Sequence, residues 1–173
     1  MGSTTHTQKA FSTPVKVVIR AGNTSTIQMT GNWTTGNLEI YGSWNSDTEA
    51  EAQVLDTNGY NLTVNSYLKL GYAQSATYYD DYYAKILFST GTHDISGNVS
   101  VDQGVGGTKG YLNLGSANIS VAGNWDATDA VITPGTSTVS FDNALSTSTL
   151  TGPTTFYVLI STATNKNVKV SSG

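Results

Sequence analysis

The sequence predicts an all-β fold, a parallel β-helix (solenoid) of about six to seven coils with three short strands in each. Three observations predict it. Apolar and polar residues alternate with period two in short runs along most of the chain, the mark of strands with one buried face. A tetrapeptide, Asn-apolar-polar-apolar, recurs at Asn37, Asn61, Asn98, Asn118 and Asn167. Those asparagines lie 24, 37, 20 and 49 residues apart. Setting aside a Tyr-rich insertion at 72–83, and counting the last gap as two units, leaves a period of roughly 20 to 25 residues. Equivalent residues of successive coils stack about 4.8 Å apart, so the five asparagines are expected to form one ladder at a corner. Asn suits a corner because it tolerates a left-handed backbone. An antiparallel β-sandwich is the alternative, since its strands come about as often. Against it, the hairpin dipeptide Asn-Gly occurs only at Asn58-Gly59, and the repeat keeps its internal order instead of mirroring it.

Taken in order, residues 1–13 are polar and read as a flexible tail or a donated segment, and residues 14–173 as one solenoid domain. Val15, Val17 and Ile19 alternate from Pro14, Gly22-Asn23 turns the chain, and Ile27 and Met29 begin a strand that ends at Gly31-Asn32-Trp33. The first tetrapeptide follows, then an acidic stretch from Asp47 to Glu51 that is too short to stand as a helix. Val54-Leu55, Leu62-Val64 and Leu68-Leu70 lead to the insertion, and Ile86-Leu87-Phe88 resumes the pattern. Beyond it come Val99-Val101, Leu112-Leu114, Ile119-Val121, Val131-Ile132, the Pro134-Gly135 turn, Val139-Phe141, Leu150, Phe156 to Ile160 and Val168-Val170.

Composition bounds the function. Of 173 residues, 38% are hydrophobic and only 12% charged. Ser, Thr and Asn make up about a third of the chain, where charged residues alone usually make up near a quarter. A surface of hydroxyls and amides fits an extracellular or cell-surface protein better than a cytosolic enzyme. The net charge of -4, with eight Lys and Arg in all, argues against nucleic acid as a partner. There is no cysteine, so stability owes nothing to disulfides, and a repetitive hydrogen-bonded core could serve instead. No run is long and apolar enough for a membrane span, and the polar start at Met1-Gly2-Ser3 suggests that a signal or larger upstream region has been removed.

From Val121-Ala122-Gly123-Asn124-Trp125, through Thr133-Pro134-Gly135-Thr136 and Thr138-Val139-Ser140-Phe141, to Leu150-Thr151-Gly152 and Phe156-Tyr157-Val158-Leu159-Ile160, the chain resembles a unit of prokaryotic adhesin-like β-strand-repeat surface proteins. Gly31-Asn32-Trp33 echoes the first part of that unit. The resemblance covers about half of the chain and implies an extracellular right-handed β-helix; it names no ligand.

Few residues invite chemistry. Tyr78, Tyr79, Asp80, Asp81, Tyr82 and Tyr83 form the candidate ligand or interface site, because tyrosines stack on sugar rings and fill protein interfaces. The plainer reading is a loop folded back on the solenoid with its tyrosines as packing. Trp33, Trp44 and Trp125 would join a glycan site, although corner packing explains them as well. Asp126 and Asp129, with Asp142, are weak candidates for Ca²⁺, which needs six to eight oxygens. No Ca²⁺-binding motif surrounds them, and no cofactor is expected. His93 and Asp94 are neighbours on a strand and point to opposite faces, so they make a poor catalytic pair. With a single Arg, Arg20, and scattered acids, the chain is not read as an enzyme. Thr-x-Thr pairs do not recur at one place in the repeat, and the five N-x-Ser/Thr sequons are near chance in so Ser/Thr-rich a chain.

The expected function is a non-enzymatic structural protein, an adhesin-like shaft or a self-assembling filament subunit. The repeat begins and stops in mid-pattern, so the expected partner is a second copy stacked end to end, with Thr4 to Ile19 as a segment it could receive, or neighbouring repeats of a longer chain. A carbohydrate-binding module using the Tyr-rich loop is the alternative, with a glycan as partner.

Overall fold

The computed structural model describes residues 4–20, 25–42, 52–71, 83–101, 110–144 and 147–171. Their strands follow one another in threes. The first coil is β1 (Thr4–Gln8), β2 (Phe11–Ser12) and β3 (Val17–Ile19); the second is β4 (Ser25–Met29), β5 (Trp33–Thr35) and β6 (Leu38–Ile40). The third is β7 (Gln53–Asp56), β8 (Leu62–Val64) and β9 (Leu68–Leu70), and the fourth β10 (Ala84–Leu87), β11 (Thr92–Ile95) and β12 (Val99–Val101). The fifth is β13 (Gly110–Asn113), β14 (Asn118–Val121) and β15 (Trp125–Asp126), and the sixth β16 (Ala130–Thr133), β17 (Thr138–Phe141) and β18 (Ser148–Thr151). β19 (Val158–Ser161) and β20 (Val168–Ser171) begin a seventh.

Each strand pairs with its counterparts in the coils before and after it, always in parallel. The result is three sheets of six, seven and seven strands, and the chain is a parallel β-helix with three strands per coil, as its alternation implies. Every second residue points into the tube, where like stacks on like. Leu55, Ile86 and Leu112 form one inward column, Leu38, Leu68, Val99, Trp125 and Leu150 another. All eight are buried.

The repeat is less uniform than the asparagine spacing suggests. Register partners are 20 residues apart at Leu112↔Ile132, 28 at Thr26↔Val54 and 31 at Leu55↔Ile86. Most of the difference arises at one corner. Segments 41–52, 71–83 and 102–109 all carry the chain from a third-sheet strand to the next first-sheet strand, whereas the other two corners are crossed in a few residues.

Residues 4 to 12, read from the sequence as a tail, instead supply two strands of the first coil. β1 pairs along its length with β4, placing Thr4, His6 and Gln8 opposite Ser25, Ile27 and Met29. Its backbone satisfies the ladder without any apolar side chain, which is why alternation does not reveal it.

The turn from first to second sheet is fixed by stacked left-handed residues. Asn58, Ser89, Gly115 and Gly135 each stand two residues past a first-sheet strand with φ of 51°, 50°, 57° and 56°. Coil-to-coil bonds tie the turns together: the Ser116 and Thr136 N–H groups donate to Ser89 O and Gly115 O, both at 2.7 Å. A Cβ on Gly135 would stand 2.0 Å from Gly115 O, so glycine is required there by space as well as by φ.

One polar residue sits in an apolar column. His93 points inward beside Ile119, fully buried, while Asp94 points out and accepts a hydrogen bond from Ser120 Oγ at 3.2 Å. The imidazole is nonetheless satisfied. Nδ1 accepts from Leu62 N–H at 3.3 Å, which leaves the proton on Nε2 to donate to Phe88 O at 3.0 Å or Thr90 O at 3.1 Å. Burial pushes the His93 pKa below its usual 6.5, more than the carbonyls of Phe88 and Thr90 raise it. The folded state therefore refuses a proton that the unfolded chain accepts, and stability falls as pH drops below about 6.5. Urea unfolding at a series of pH values between 7.5 and 5 is expected to show this slope, and His93→Gln to flatten it; equal slopes in both proteins would contradict the assignment.

Candidate functional site

The asparagines predicted to form one ladder divide between two sheets. Asn61 and Asn118 begin second-sheet strands, whereas Asn37, Asn98 and Asn167 begin third-sheet strands. Two separate ladders exist, and each recruits an asparagine from a Gly-Asn-Trp corner. At the second sheet, Asn32 Oδ1 accepts the Asn61 N–H at 2.9 Å, and Asn61 Oδ1 accepts the Thr92 N–H at 3.0 Å. At the third, Asn98 Oδ1 accepts the Asn124 N–H at 2.8 Å, and Asn124 Oδ1 accepts the Thr149 N–H at 2.9 Å. The bonds run from side-chain oxygen to the backbone of the next coil, not from amide to amide.

Asn118 belongs to neither ladder: its backbone N–H donates to Gly91 O at 2.9 Å and its side chain faces solvent. Asn37 contributes its carbonyl oxygen, which accepts from Val17 N–H and Thr35 Oγ1. Asn167 likewise accepts Ser148 N–H through its backbone and lies two positions off the third-sheet ladder, because Ser148 pairs with Val168.

The outward face of the third sheet carries a concavity of about 560 Å³. Two outward columns line it. Tyr67, Asn98, Asn124 and Thr149 form one, and Lys69, Ser100, Asp126 and Thr151 the other. A smaller hollow of about 240 Å³ continues the face toward the first coil, between Lys16, Glu39, Tyr41 and Lys69.

Glu39 anchors that end. It is 6% exposed, takes the Tyr41 hydroxyl on Oε2 and the Tyr67 hydroxyl on Oε1, and pairs with Lys16 Nζ at 3.2 Å. Burial alone would raise its pKa, but the two tyrosine hydroxyls and Lys16 together hold it below the usual 4.5. The same hydrogen bond raises the Tyr67 pKa above 10. Glu39 thus contributes stability that is present above pH 4.5 and lost as pH falls through its lowered folded value. It also holds the hydroxyl of Tyr67, whose side chain lines the concavity.

The tyrosine cluster is placed only at its last member. Tyr78, Tyr79, Asp80, Asp81 and Tyr82 lie outside the described residues, as does Trp44. Tyr83 runs into the first sheet: its carbonyl oxygen accepts Gln53 N–H at 2.9 Å and its ring meets Tyr111 at 5.8 Å. Trp33 and Trp125 cannot stack on a ligand, being 2% and 1% exposed in the core. Trp33 Nε1 donates to Lys9 O at 3.1 Å, and Trp125 meets Phe156 edge-on at 5.4 Å. Asp126 uses Oδ1 to hold its own turn, accepting from Thr128 N–H at 3.1 Å and Thr128 Oγ1 at 2.7 Å. It does not meet Asp129 and Asp142 at a common point: among the described residues no three His, Asp or Glu side chains gather as metal ligands. No helix among them is long and apolar enough to cross a membrane.

Sequence reasoning missed Asn32, Asn124 and the Glu39 cluster. The first two were signalled by their Gly-Asn-Trp corners; the third joins Glu39 to Tyr67, 28 residues away, and becomes visible only once the register is known. Comparison of the chain with protein-family models, with curated proteins and with solved structures found no match in any of the three.

The ladders make a discriminating expectation. Asn61→Ala or Asn98→Ala should each lower unfolding stability by about 0.5–1.5 kcal/mol, the worth of one hydrogen bond, whereas Asn118→Ala should be near neutral. Denaturant titration of the three variants checks it, and an Asn118 effect as large as the others would contradict the two-ladder arrangement.

Proposed function

We propose that this protein is a non-enzymatic extracellular structural element, a length of adhesin-like shaft or a self-assembling filament subunit. Its work is done by backbone hydrogen bonding and apolar stacking. One observation carries the reading. Leu159 and Val170 occupy inward register positions opposite Val139 and Leu150, yet are 41% and 77% exposed. They are core residues waiting for a further coil, supplied by a second copy or by neighbouring repeats of a longer chain. Burying them contributes about 25 cal/mol per Å² of apolar area covered.

The geometry of the strands supports the same reading. Among the described residues β16, β19 and β20 each pair on one side only, leaving backbone donors and acceptors that template another strand. Because all pairs are parallel, head-to-tail addition continues every sheet with unchanged polarity, a heterologous contact that builds open filaments. At the opposite end, Phe11, Val17 and Ile27 border a hollow of about 260 Å³ beside the polar row of β1. The extracellular assignment rests on composition: 12% charged residues, no cysteine, and a surface of hydroxyls and amides.

Sedimentation velocity and negative-stain electron microscopy test the proposal. The chain is expected to associate into rods or fibres as concentration rises, and Leu159→Lys with Val170→Lys to return it to monomer with its circular dichroism unchanged. A chain that remains monomeric at every concentration, with or without those substitutions, contradicts the filament-subunit form and favours a length of shaft; compact particles instead of rods contradict both.

A further inference from the structure

We infer that the outward face of the third sheet is a binding site for a neutral, hydroxyl-rich oligosaccharide lying along the solenoid axis. This goes beyond a structural role and does not depend on self-association, since the site is lateral to the stack.

The third-sheet ladder creates the site. Asn98 and Asn124 each commit Oδ1 to the backbone of the next coil, which fixes the side chain and leaves Nδ2 without a partner among the described residues. Two amide donors therefore stand in line, one coil apart, over a concavity of about 560 Å³. Immobilised donors cost little further entropy on binding. The second column supplies complementary groups: the Ser100 hydroxyl, and Asp126, whose Oδ2 is spare because Thr128 uses only Oδ1. Tyr67, held by Glu39, sets an aromatic ring at one end. Aromatic faces, amide donors and a carboxylate acceptor on one surface are what a pyranose, with apolar C–H faces and a rim of hydroxyls, requires.

Spacing and charge narrow the ligand. The columns repeat with the coils at about 4.8 Å, close to the advance of one sugar residue along an extended chain. Four coils span roughly 14 Å, room for a few sugar units. Lys69 and Asp126 bring one charge of each sign, so the site favours neither a polyanion nor a polycation.

The test is calorimetric titration of the full chain with cellohexaose, maltohexaose and mannohexaose. Saturable binding of at least one is expected. Two variants locate it. Asn98→Asp with Asn124→Asp keeps both ladder oxygens but removes the donors, and Ser100→Trp fills the concavity from an outward position. Each should weaken binding by about tenfold or more while leaving the circular dichroism and melting temperature of the chain in place. Replacing Tyr78, Tyr79, Tyr82 and Tyr83 with Ser is the control for a site elsewhere. No saturable binding of any of the three sugars overturns the inference. So does binding that survives both groove variants, or that falls only in the tyrosine variant.

Discussion

Every feature of this protein depends on the parallel backbone hydrogen bonds that lock one coil to the next. They run in unbroken register from Thr5↔Thr26 in the first sheet to Thr149↔Lys169 in the third. Once a coil is stacked in this way, each inward residue lies on its counterpart, and the core becomes a set of columns. A column tolerates whatever its neighbours accommodate. That is why Trp125 can share one with Val99 and Leu150, and why His93 can sit beside Ile119 once its two nitrogens are satisfied by Leu62 and Phe88.

The same constraint explains where the chain varies. A corner whose turn must stack on the turn below cannot lengthen freely. At the first-to-second corner, Gly115 and Gly135 adopt matching left-handed conformations, and the space for a Cβ on either is filled by a carbonyl oxygen of the coil below. The corner after the third sheet is where the chain takes its long connections, 41–52, 71–83 and 102–109. The stacked left-handed turns and the long connections thus fall at different corners of the coil.

The fold was legible in the sequence because alternation reports burial directly. Leu62-Thr63-Val64 and Ile119-Ser120-Val121 show the buried, half-buried, buried pattern that period two implies. The single asparagine ladder was not, because Asn before an inward residue begins a strand in two sheets alike, and spacing alone cannot separate Asn61 from Asn98. The steps of 24 and 20 residues that suggested one period each run from the third sheet of one coil to the second sheet of the next. The strand at Thr4–Gln8 was hidden for the opposite reason: its place is fixed by backbone bonds that leave no trace in side-chain pattern. The concavity of the third sheet was hidden as well, since Tyr67, Asn98, Asn124 and Thr149 become neighbours only through the stack.

The parallel register is the claim on which all of this rests, and the absence of native cysteine makes it directly accessible. Ser120 and Ser140 are outward register partners in adjacent coils. Adjacent parallel strands bring such Cα atoms to about 4.8 Å, inside the range a disulfide spans. In a Ser120→Cys, Ser140→Cys double variant, mild oxidation should yield an intramolecular disulfide, read by mass spectrometry of the intact and digested chain. The pair Thr63→Cys, Ser140→Cys, three coils apart along the same column, should leave both thiols free. Free thiols in the first variant, or an intramolecular crosslink in the second, would contradict the stacked-coil account.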